Sequence, residues 1–334
     1  MVTIKDVARL AGVSHTTVSL ALRGSARITD ETKSKVLKAA KQLNYHPNHL
    51  ARSLVTKKTN VIGVVANFFS SNFEMEVLKG IEQSIRSMES DYMINLFATL
   101  EKNDQVLEDI CLGRHADGVI LLSISPSPEV IRLYNENNCP MIVIDEQAEG
   151  AIEITMDNYH GAYMATEHLI NSGRRNLAIV LGDSNRDELG LSQNERKQGF
   201  LQAIKDHGLT FNQKNTFFIE DYYFEEGQVV FKRMQRYGSD IDGIFCAAGD
   251  IVASGIMLEA KNEHLDIPKD LSIIGYDDVP SSSLIDPPLT SVRQPLFQIG
   301  KNGYARMVRF LEGKEEYKPN KLVYEPQLIV RSSV

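Results

Sequence analysis

From Asn60 to the C-terminus, short runs of β-branched and other apolar residues alternate with stretches that have the apolar period of helices. The first runs are NVIGVVA, YMINLF, DGVILL and PMIVID, and a second series consists of EITMD, NLAIVLG, TFFIE, DGIFCAA and DLSIIGYDD. Strands that alternate with helices form parallel sheets covered by helices on both faces, because a parallel connection needs a crossover. The two series therefore predict an α/β body with two lobes.

Seven helices are predicted between these strands. They lie near residues 73–88, 104–112, 128–137, 159–171, 193–207, 225–237 and 251–262. Ligands of open α/β sheets bind beyond the carboxyl ends of the strands. The residues at those ends are polar or aromatic, and they include Asn67 to Phe73, Asp145, Asp157, Asp250, Asp277 and Asp278. This pattern predicts a small-molecule site, although a carboxylate such as Asp157 or Asp250 is also a common helix cap.

The first 60 residues differ from the rest of the chain in charge. They hold eleven Lys and Arg against three Asp and Glu, a net charge of +8, whereas the remaining 274 residues hold 25 basic and 41 acidic residues, a net charge of −16. Cationic side chains bind nucleic acids by releasing the counterions of phosphates. The contrast favours a DNA-binding head on an acidic body, and the alternative is a solvated basic face without a partner.

Three short helices are predicted in this head, with Thr3, Ser14 and Thr29 as their N-caps. A tight turn at Gly12 joins the first two, as in a helix-turn-helix, whose second helix enters the major groove of DNA. The stripe on this second helix that faces away from the small core consists of His15, Thr16, Ser19, Leu20 and Arg23. Because it has no acidic residue, we interpret it as a DNA-contacting face rather than a solvated one.

Several classes of protein are disfavoured by the sequence. Cys111, Cys139 and Cys246 are widely spaced, which favours buried thiols over a zinc site or disulfides. Phosphate-binding, dinucleotide-binding, nucleophile-elbow and zinc-protease motifs are missing, which weakens an enzyme hypothesis. The sequence shows neither a signal-peptide pattern nor an apolar run of about 18 residues, so we expect a cytoplasmic protein. We expect neither a metal nor a cofactor.

The run TIKDVARLAGVSHTTVS, followed by ITDETKSKVLKAAKQLNYHPNHLARSL, resembles the headpiece of the lactose/purine repressor family, and the likeness extends through almost the whole chain. The DNA-binding positions that it implies are Thr3, Ser14, His15, Thr16, Thr17, Ser19, Leu20, Arg23, Arg27, Tyr45, Asn48, Ala51 and Leu54. Residues of about 48–56 match a hinge helix, in which Leu54 corresponds to a minor-groove wedge. The alternative for Leu54 is a linker residue that packs on the body. Leu20 departs from the family's polar or basic residue and cannot donate to guanine.

The body resembles the sugar-binding body of this family and of ribose-type periplasmic receptors, in which the ligand lies between two lobes joined by three crossing segments. The effector positions that the likeness implies are Phe69, Phe73, Asp145, Arg196, Tyr222, Asp250, Asp277 and Gln294. Charged side chains among them suit hydroxyl groups, and aromatic side chains suit the apolar face of a sugar ring. Glu146 and Gly249 depart from the receptor pattern, where Arg and Asn are usual, so ribose itself is not implied.

The same likeness gives domain boundaries. A headpiece is predicted over residues 1–58 and a body over residues 60–334. Within the body, the amino lobe is expected to span residues 60–157 and 290–320, and the carboxy lobe residues 158–289 and 321–334. KLVYEPQLIVRSSV matches the last strand of the family, and no leucine heptad follows it, so we expect no tetramerisation bundle.

The fold expected is thus an all-α helix-turn-helix headpiece followed by a two-lobed α/β effector domain of the periplasmic-binding-protein type. The function expected is that of a transcriptional repressor that binds a palindromic operator as a homodimer under control of a sugar or sugar phosphate. A purine- or nucleoside-responsive repressor is the alternative within the family. Outside it, the alternatives are a two-lobed receptor without DNA function and an enzyme that acts on a sugar or nucleoside.

Overall fold

The computed structural model describes residues 2–22, 27–45, 58–69, 71–88, 90–100, 102–182, 190–236 and 240–334. The chain divides into two compact units, Met1–Thr59 and Asn60–Val334. Within the described ranges, no helix is both long and apolar enough to cross a membrane. The three cysteines are free and buried, as predicted.

The first unit contains helices α1 (Ile4–Ala11), α2 (His15–Leu22) and α3 (Asp30–Gln42). All three predicted N-caps are confirmed. The backbone N–H of Thr3 donates to Asp6 Oδ2 at 2.9 Å, Thr17 N to Ser14 Oγ at 3.1 Å and Thr32 N to Thr29 Oγ1 at 3.4 Å. Gly12 adopts the left-handed conformation, with φ of 68°, that turns the chain from α1 into α2. The three helices enclose a small core around Val7, Val18 and Val36.

The second unit alternates strands and helices as the sequence predicts. The strands are β1 (Val61–Ala66), β2 (Met93–Ala98), β3 (Gly118–Leu122), β4 (Met141–Ile144), β5 (Ile152–Met156), β6 (Leu177–Leu181), β7 (Thr216–Phe218), β8 (Gly243–Cys246), β9 (Ser272–Asp277), β10 (Thr290–Arg293), β11 (Asn320–Tyr324) and β12 (Gln327–Ile329). The α-helices are α4 (Asn72–Met88), α5 (Asn103–Leu112), α6 (Pro128–Glu136), α7 (Asn158–Asn171), α8 (Leu191–Asp206), α9 (Phe224–Arg236), α10 (Asp250–Asn262) and α11 (Leu296–Leu311). Two 3₁₀ turns span Gln213–Asn215 and Pro280–Ser283.

Two six-stranded sheets form the two lobes, which confirms the predicted fold class. The amino-lobe sheet has the order β11-β5-β4-β3-β1-β2 and is parallel throughout. The carboxy-lobe sheet has the order β12-β10-β9-β8-β6-β7, in which only β12 is antiparallel to its neighbour. Side chains of β1 alternate between two buried clusters, one on each face of the sheet. This burial on both faces explains the near-continuous apolar runs.

The lobes are joined by three connections. The chain crosses between β5 and α7, between β10 and α11, and between β11 and β12. The prediction of a single last strand from KLVYEPQLIV is wrong, because β11 pairs in the amino lobe and β12 in the carboxy lobe. Pro326 separates them, since proline has no N–H to donate to a sheet. The second and third crossings therefore lie a few residues after the predicted boundaries at 290 and 321.

Candidate functional site

A cleft of about 710 Å³ lies between the two lobes of the body. Six of the eight predicted effector positions line it: Phe73, Asp145, Arg196, Tyr222, Asp250 and Asp277. Phe69 packs instead against the core of the amino lobe, and Gln294 reaches the site through a hydrogen bond to Asp277. The carboxyl ends of strands from both sheets thus meet around one cavity, as expected for ligand sites in open α/β sheets.

Arg196 on α8 occupies a buried position in the cleft, with 5% of its surface exposed. Its Nε donates to Asn158 Oδ1 at 2.9 Å, and its Nη1 donates to the carbonyl oxygen of Ala247 at 2.8 Å. The guanidinium carbon lies 3.7 Å from the centre of the Tyr276 ring, a cation–π distance. These contacts fix the guanidinium at the cleft wall rather than on the solvent-exposed surface of α8.

Asp145 and Asp277 follow β4 and end β9, and both adopt left-handed backbone conformations, with φ of 66° and 96°. Non-glycine residues rarely adopt positive φ, and such positions cluster at ligand sites. Burial raises the pKa of Asp145 to about 6, against the opposing effect of Arg196. Burial also raises the pKa of Asp277, whose Oδ1 accepts a hydrogen bond from Gln294 Nε2 at 2.6 Å. The Asp145 carboxylate is hydrogen-bonded to Ser192 and Asn158, but its Oδ1 has no partner among the described residues.

Asp250 lines the cleft but its carboxylate is bonded within the protein. Oδ1 accepts from Ser291 Oγ at 2.6 Å, and Oδ2 accepts from Ser282 Oγ at 2.6 Å and from Val279 N at 2.9 Å. Burial, together with Asp277, raises the pKa of Asp250 to about 8. The carboxylate therefore anchors the loop that follows Asp277, rather than capping α10. Its predicted contact with an effector stays a prediction.

The neighbouring carboxylates have structural contacts. Asp157 caps α7, since its Oδ1 accepts from His160 N at 2.8 Å. Asp278 forms ion pairs with Arg293 at 2.7 Å and with Arg331 at 2.6 Å, and only 3% of its side chain is exposed. Gly249 has φ of 113°, and a Cβ there would lie 3.2 Å from Asp277 Oδ2. The departure at Gly249 thus leaves space beside a cleft carboxylate.

Sequence reasoning missed two buried residues of the site. Asn158, the first residue of α7, accepts hydrogen bonds through Oδ1 from both Arg196 and the Tyr276 hydroxyl. Glu74 on α4 lines the cleft and accepts a hydrogen bond from Ser71 Oγ. The spacing of Ser71 and Glu74 is that of a capping box, so the sequence signal for Glu74 is hidden by a more common role. Asn158 gives no local signal, because its partners are distant in sequence.

On the head, the structure separates the predicted DNA-contact face from the core. Val18 and Ala21 of α2 are buried, whereas Ser14, His15 and Thr16 are exposed. Thr3 and Arg27 are exposed, and Thr17, Ser19, Leu20 and Tyr45 are half-buried, with Tyr45 packed against the core. Arg23, Asn48, Ala51 and Leu54 lie outside the described residues. The described part of the stripe therefore presents hydroxyl and imidazole groups to solvent beside a basic surface.

Two family models match the chain. Residues 3–48 match the bacterial regulatory proteins of the lacI family, and residues 166–334 match the periplasmic binding protein-like domain. The HTH-type transcriptional repressor PurR of Actinobacillus pleuropneumoniae serotype 3 (strain JL03) is 31% identical over 100% of this chain and 98% of the relative.

Solved structures of similar proteins agree with this match. A transcriptional regulator CelR–cellobiose complex has a TM-score of 0.71 and 25% identity, with all of both chains covered. The lac repressor dimer bound to operator and the anti-inducer ONPF has a TM-score of 0.82 and 22% identity, over 99% of this chain and 98% of that one. The second likeness concerns the fold alone.

Proposed function

This chain belongs to the lacI family of bacterial regulatory proteins, and we propose that it represses transcription by binding a palindromic operator as a homodimer whose affinity depends on a sugar-like effector. It is a transcriptional regulator and not an enzyme. The strongest support for the proposal is one observation: the same chain carries an exposed helix-turn-helix stripe on a basic unit and a buried polar cleft between two lobes.

DNA contact is assigned to the exposed face of α2. His15 and Thr16 are proposed to read base edges in the major groove, with Ser19 on phosphate or nearby bases. Exposed hydroxyl and imidazole groups that project from a helix can donate to both. Leu54 is proposed to wedge into the minor groove, from the family resemblance alone. Replacement of Leu54 with Ala should then weaken operator binding and leave effector binding unchanged.

A second copy of the chain is proposed to cover an apolar surface of the amino lobe. β2 is the edge strand of its sheet, and Met93 and Leu96 on it are each 52% exposed. Met75 on α4 is also exposed. Exposed apolar edge strands are a liability in monomers, because they invite pairing and aggregation. Homodimerisation would protect this edge and would place two recognition helices on the half-sites of a palindrome.

The effector is proposed to lie in the cleft against Arg196, Asp145 and Asp277. These charged groups suit several hydroxyls, and the Phe73 and Tyr222 rings at the cleft supply apolar faces for a sugar ring. The similarity to a cellobiose-binding regulator supports this choice. A purine or nucleoside is the second candidate, supported by the similarity to PurR and by the same two aromatic rings, which would also suit a flat base.

DNA binding can be tested by selecting duplexes from a random library and measuring operator affinity over a series of salt concentrations. We expect the logarithm of the affinity to fall linearly with the logarithm of salt, by about 0.9 for each neutralised phosphate. A flat salt profile would overturn the proposed DNA function. Effector binding can be tested by thermal shift with pentoses, hexoses, their phosphates and purines, since a ligand at 100 times its Kd adds about 2.7 kcal/mol of stability.

A further inference from the structure

Glu74 is a carboxylate of the cleft with an environment that helix capping does not explain. Only 6% of its surface is exposed. Burial raises its pKa, and the charges of Asp277 and Asp145 raise it further, against the opposing effect of the Ser71 hydrogen bond. Capping carboxylates usually lie at the solvent-exposed start of a helix. Glu74 instead lines, together with the buried carboxylates of Asp145 and Asp277, the cavity in which the effector is proposed to bind.

The described residues that line the cleft are strongly acidic. Seven of them are Asp or Glu: Glu74, Asp145, Glu146, Glu220, Asp221, Asp250 and Asp277. Arg196 is the only Lys or Arg among the same lining residues, and two of its N–H groups are already bonded to Asn158 and Ala247. Phosphate and carboxylate ligands need several cationic or N–H donors. Among the described lining residues, carboxylates thus outnumber cationic side chains, and the other polar side chains are neutral.

One oxygen of these carboxylates is buried without a partner among the described residues. Asp145 is 9% exposed, and its Oδ1 lies among the buried side-chain atoms that have no hydrogen bond. A buried acceptor without a donor is costly, and a ligand hydroxyl or ammonium at this position would satisfy it. An anionic group at the same position would face the negative charges of Asp145, Glu74 and Asp277, and Arg196 is the one Lys or Arg of the described lining that would offset them.

We propose that the effector is a polyhydroxylated molecule without phosphate or carboxylate, and that Glu74 is the residue that excludes anionic ligands. This inference depends on one part of the proposed function, namely that the cleft is the effector site. Neutral sugars and amino sugars share the required chemistry, because both present hydrogen-bond donors and no negative charge. Sugar phosphates and uronic acids do not.

Matched sets of ligands test the ligand class on the full chain. Each set holds a neutral sugar, its phosphate, its uronic acid and its 2-amino analogue, with glucose and galactose as parents, and ribose with ribose 5-phosphate forms a smaller set. Thermal shift identifies the sets that bind, and calorimetry gives each Kd. We expect the neutral or amino member to bind at least tenfold more tightly than the anionic members of its set. An anionic member that binds more tightly than its parent, or a panel in which no neutral or amino member binds, overturns the inference.

Replacement of Glu74 with Gln tests the residue. Removal of this charge should reduce the preference for the neutral member over the anionic member by about tenfold, while Gln can still accept from Ser71. Glu82→Gln on the same helix is the control, because Glu82 is exposed and pairs with Arg86 outside the cleft. An unchanged preference in Glu74→Gln excludes Glu74 as the selecting residue. If this variant does not fold, the ranking in the wild-type protein decides the ligand class.

An operator titration separates this inference from the proposed function. If an anionic sugar binds most tightly and still changes operator affinity, the regulator function stands and the charge selection falls. If neutral sugars bind in the expected order without any effect on DNA binding, the charge selection stands and effector control falls.

Discussion

The two walls of the cleft differ in how completely their polar groups are bonded. On the carboxy-lobe wall, Arg196 is held by Asn158, Ala247 and the Tyr276 ring, and Asp277 is held by Gln294. On the amino-lobe wall, Asp145 is hydrogen-bonded to Ser192 and Asn158, but its Oδ1 has no partner among the described residues, and Glu74 is bonded to its own helix terminus through Ser71. The carboxy-lobe wall is thus the more organised of the two, although Gln294 Oε1 on it also has no partner among the described residues.

This difference suggests an order of events. Binding of a ligand to the carboxy-lobe wall would cost little conformational entropy of the protein, because the side chains there are already fixed. In the proposed complex, a hydrogen-bond donor of the ligand would then satisfy Asp145 Oδ1 on the other wall. Since a ligand shifts a conformational equilibrium only by its differential affinity, a bond gained there would favour whichever state makes it.

The largest effect is expected for Arg196→Met, which breaks the organised wall. This variant leaves Asp145 and Asp277 buried without their cation, and removal of one partner from a buried ionic group costs about 3–5 kcal/mol. Urea unfolding should show that loss, and calorimetry should show effector affinity reduced more than a hundredfold. Arg132→Met is the control, because Arg132 forms an exposed pair with Glu129. Wild-type stability in Arg196→Met would mean that the wall is not organised by this residue.

Asp145→Asn tests the amino-lobe wall through the pH dependence of the free energy of unfolding. The folded-state pKa of Asp145, about 6, lies above its usual value of 3.8, so the folded protein holds the proton more tightly than the unfolded chain. The free energy of unfolding should therefore fall as pH rises from about 4 to 6, by about 3 kcal/mol for this group alone. Asn carries no charge, so the variant should be more stable than wild type at pH 7 and similar to it at pH 4.

The control for this pH experiment is Asp109→Asn, at an exposed position on α5. It should follow the wild-type profile at every pH. The same stability difference between Asp145→Asn and wild type at pH 4 and at pH 7 would contradict the assignment. Effector affinity should fall in Asp145→Asn, so that a gain of stability and a loss of binding occur together.

Effects of intermediate size are expected for the two adjacent carboxylates at the end of β9, Asp277 and Asp278. Asp277→Asn should weaken the effector by about tenfold to more than a hundredfold, since a bond to a buried charged group is worth about 1.5–3 kcal/mol. Operator binding should remain. Asp278→Asn should instead lower stability by a similar free energy, because Asp278 pairs with Arg293 and Arg331. Calorimetry and urea unfolding on both variants check this, and equal effects on ligand affinity would remove the distinction.

The smallest effect is expected for Gln294→Met. The variant loses the 2.6 Å bond to Asp277, but it also removes the buried Gln294 Oε1, for which the described residues supply no partner. These two terms oppose each other, so stability should change by less than about 1 kcal/mol. Effector affinity should fall several-fold because Asp277 is no longer held in place. A loss of stability as large as that in Arg196→Met would show that Gln294 is structural.

Much of the fold follows from the sequence because its signals are local. The apolar runs predict both parallel sheets, and Ser14 and Thr29 mark their helix starts. The region around Pro326 was the exception. Two short strands joined by Glu325 and Pro326 have the same sequence pattern as one strand, and only their pairing in different sheets separates them.

The site was less accessible to sequence reasoning. Asp277 and Asp278 are adjacent residues of the same type, so the sequence does not distinguish them. The Asp277 carboxylate nevertheless lines the cleft, whereas the Asp278 carboxylate forms ion pairs with two arginines. That choice depends on Arg331, 53 residues away along the chain. Glu74 could be identified as a site residue only once its helix was placed beside the cleft. In the sequence, its spacing from Ser71 is already explained by a helix-capping role.

Two of the three connections between the lobes carry a side chain that is bonded directly to a cleft residue. Asn158, just after the first connection, holds Arg196, and Gln294, within the second, holds Asp277. A shift of Arg196 or Asp277 would therefore displace a residue of a connection between the lobes directly, through one hydrogen bond. Genetic selections for repressors that still bind their signal, although more weakly, and no longer respond to it should accordingly recover substitutions at these two amides, far from the DNA-contact helix in sequence.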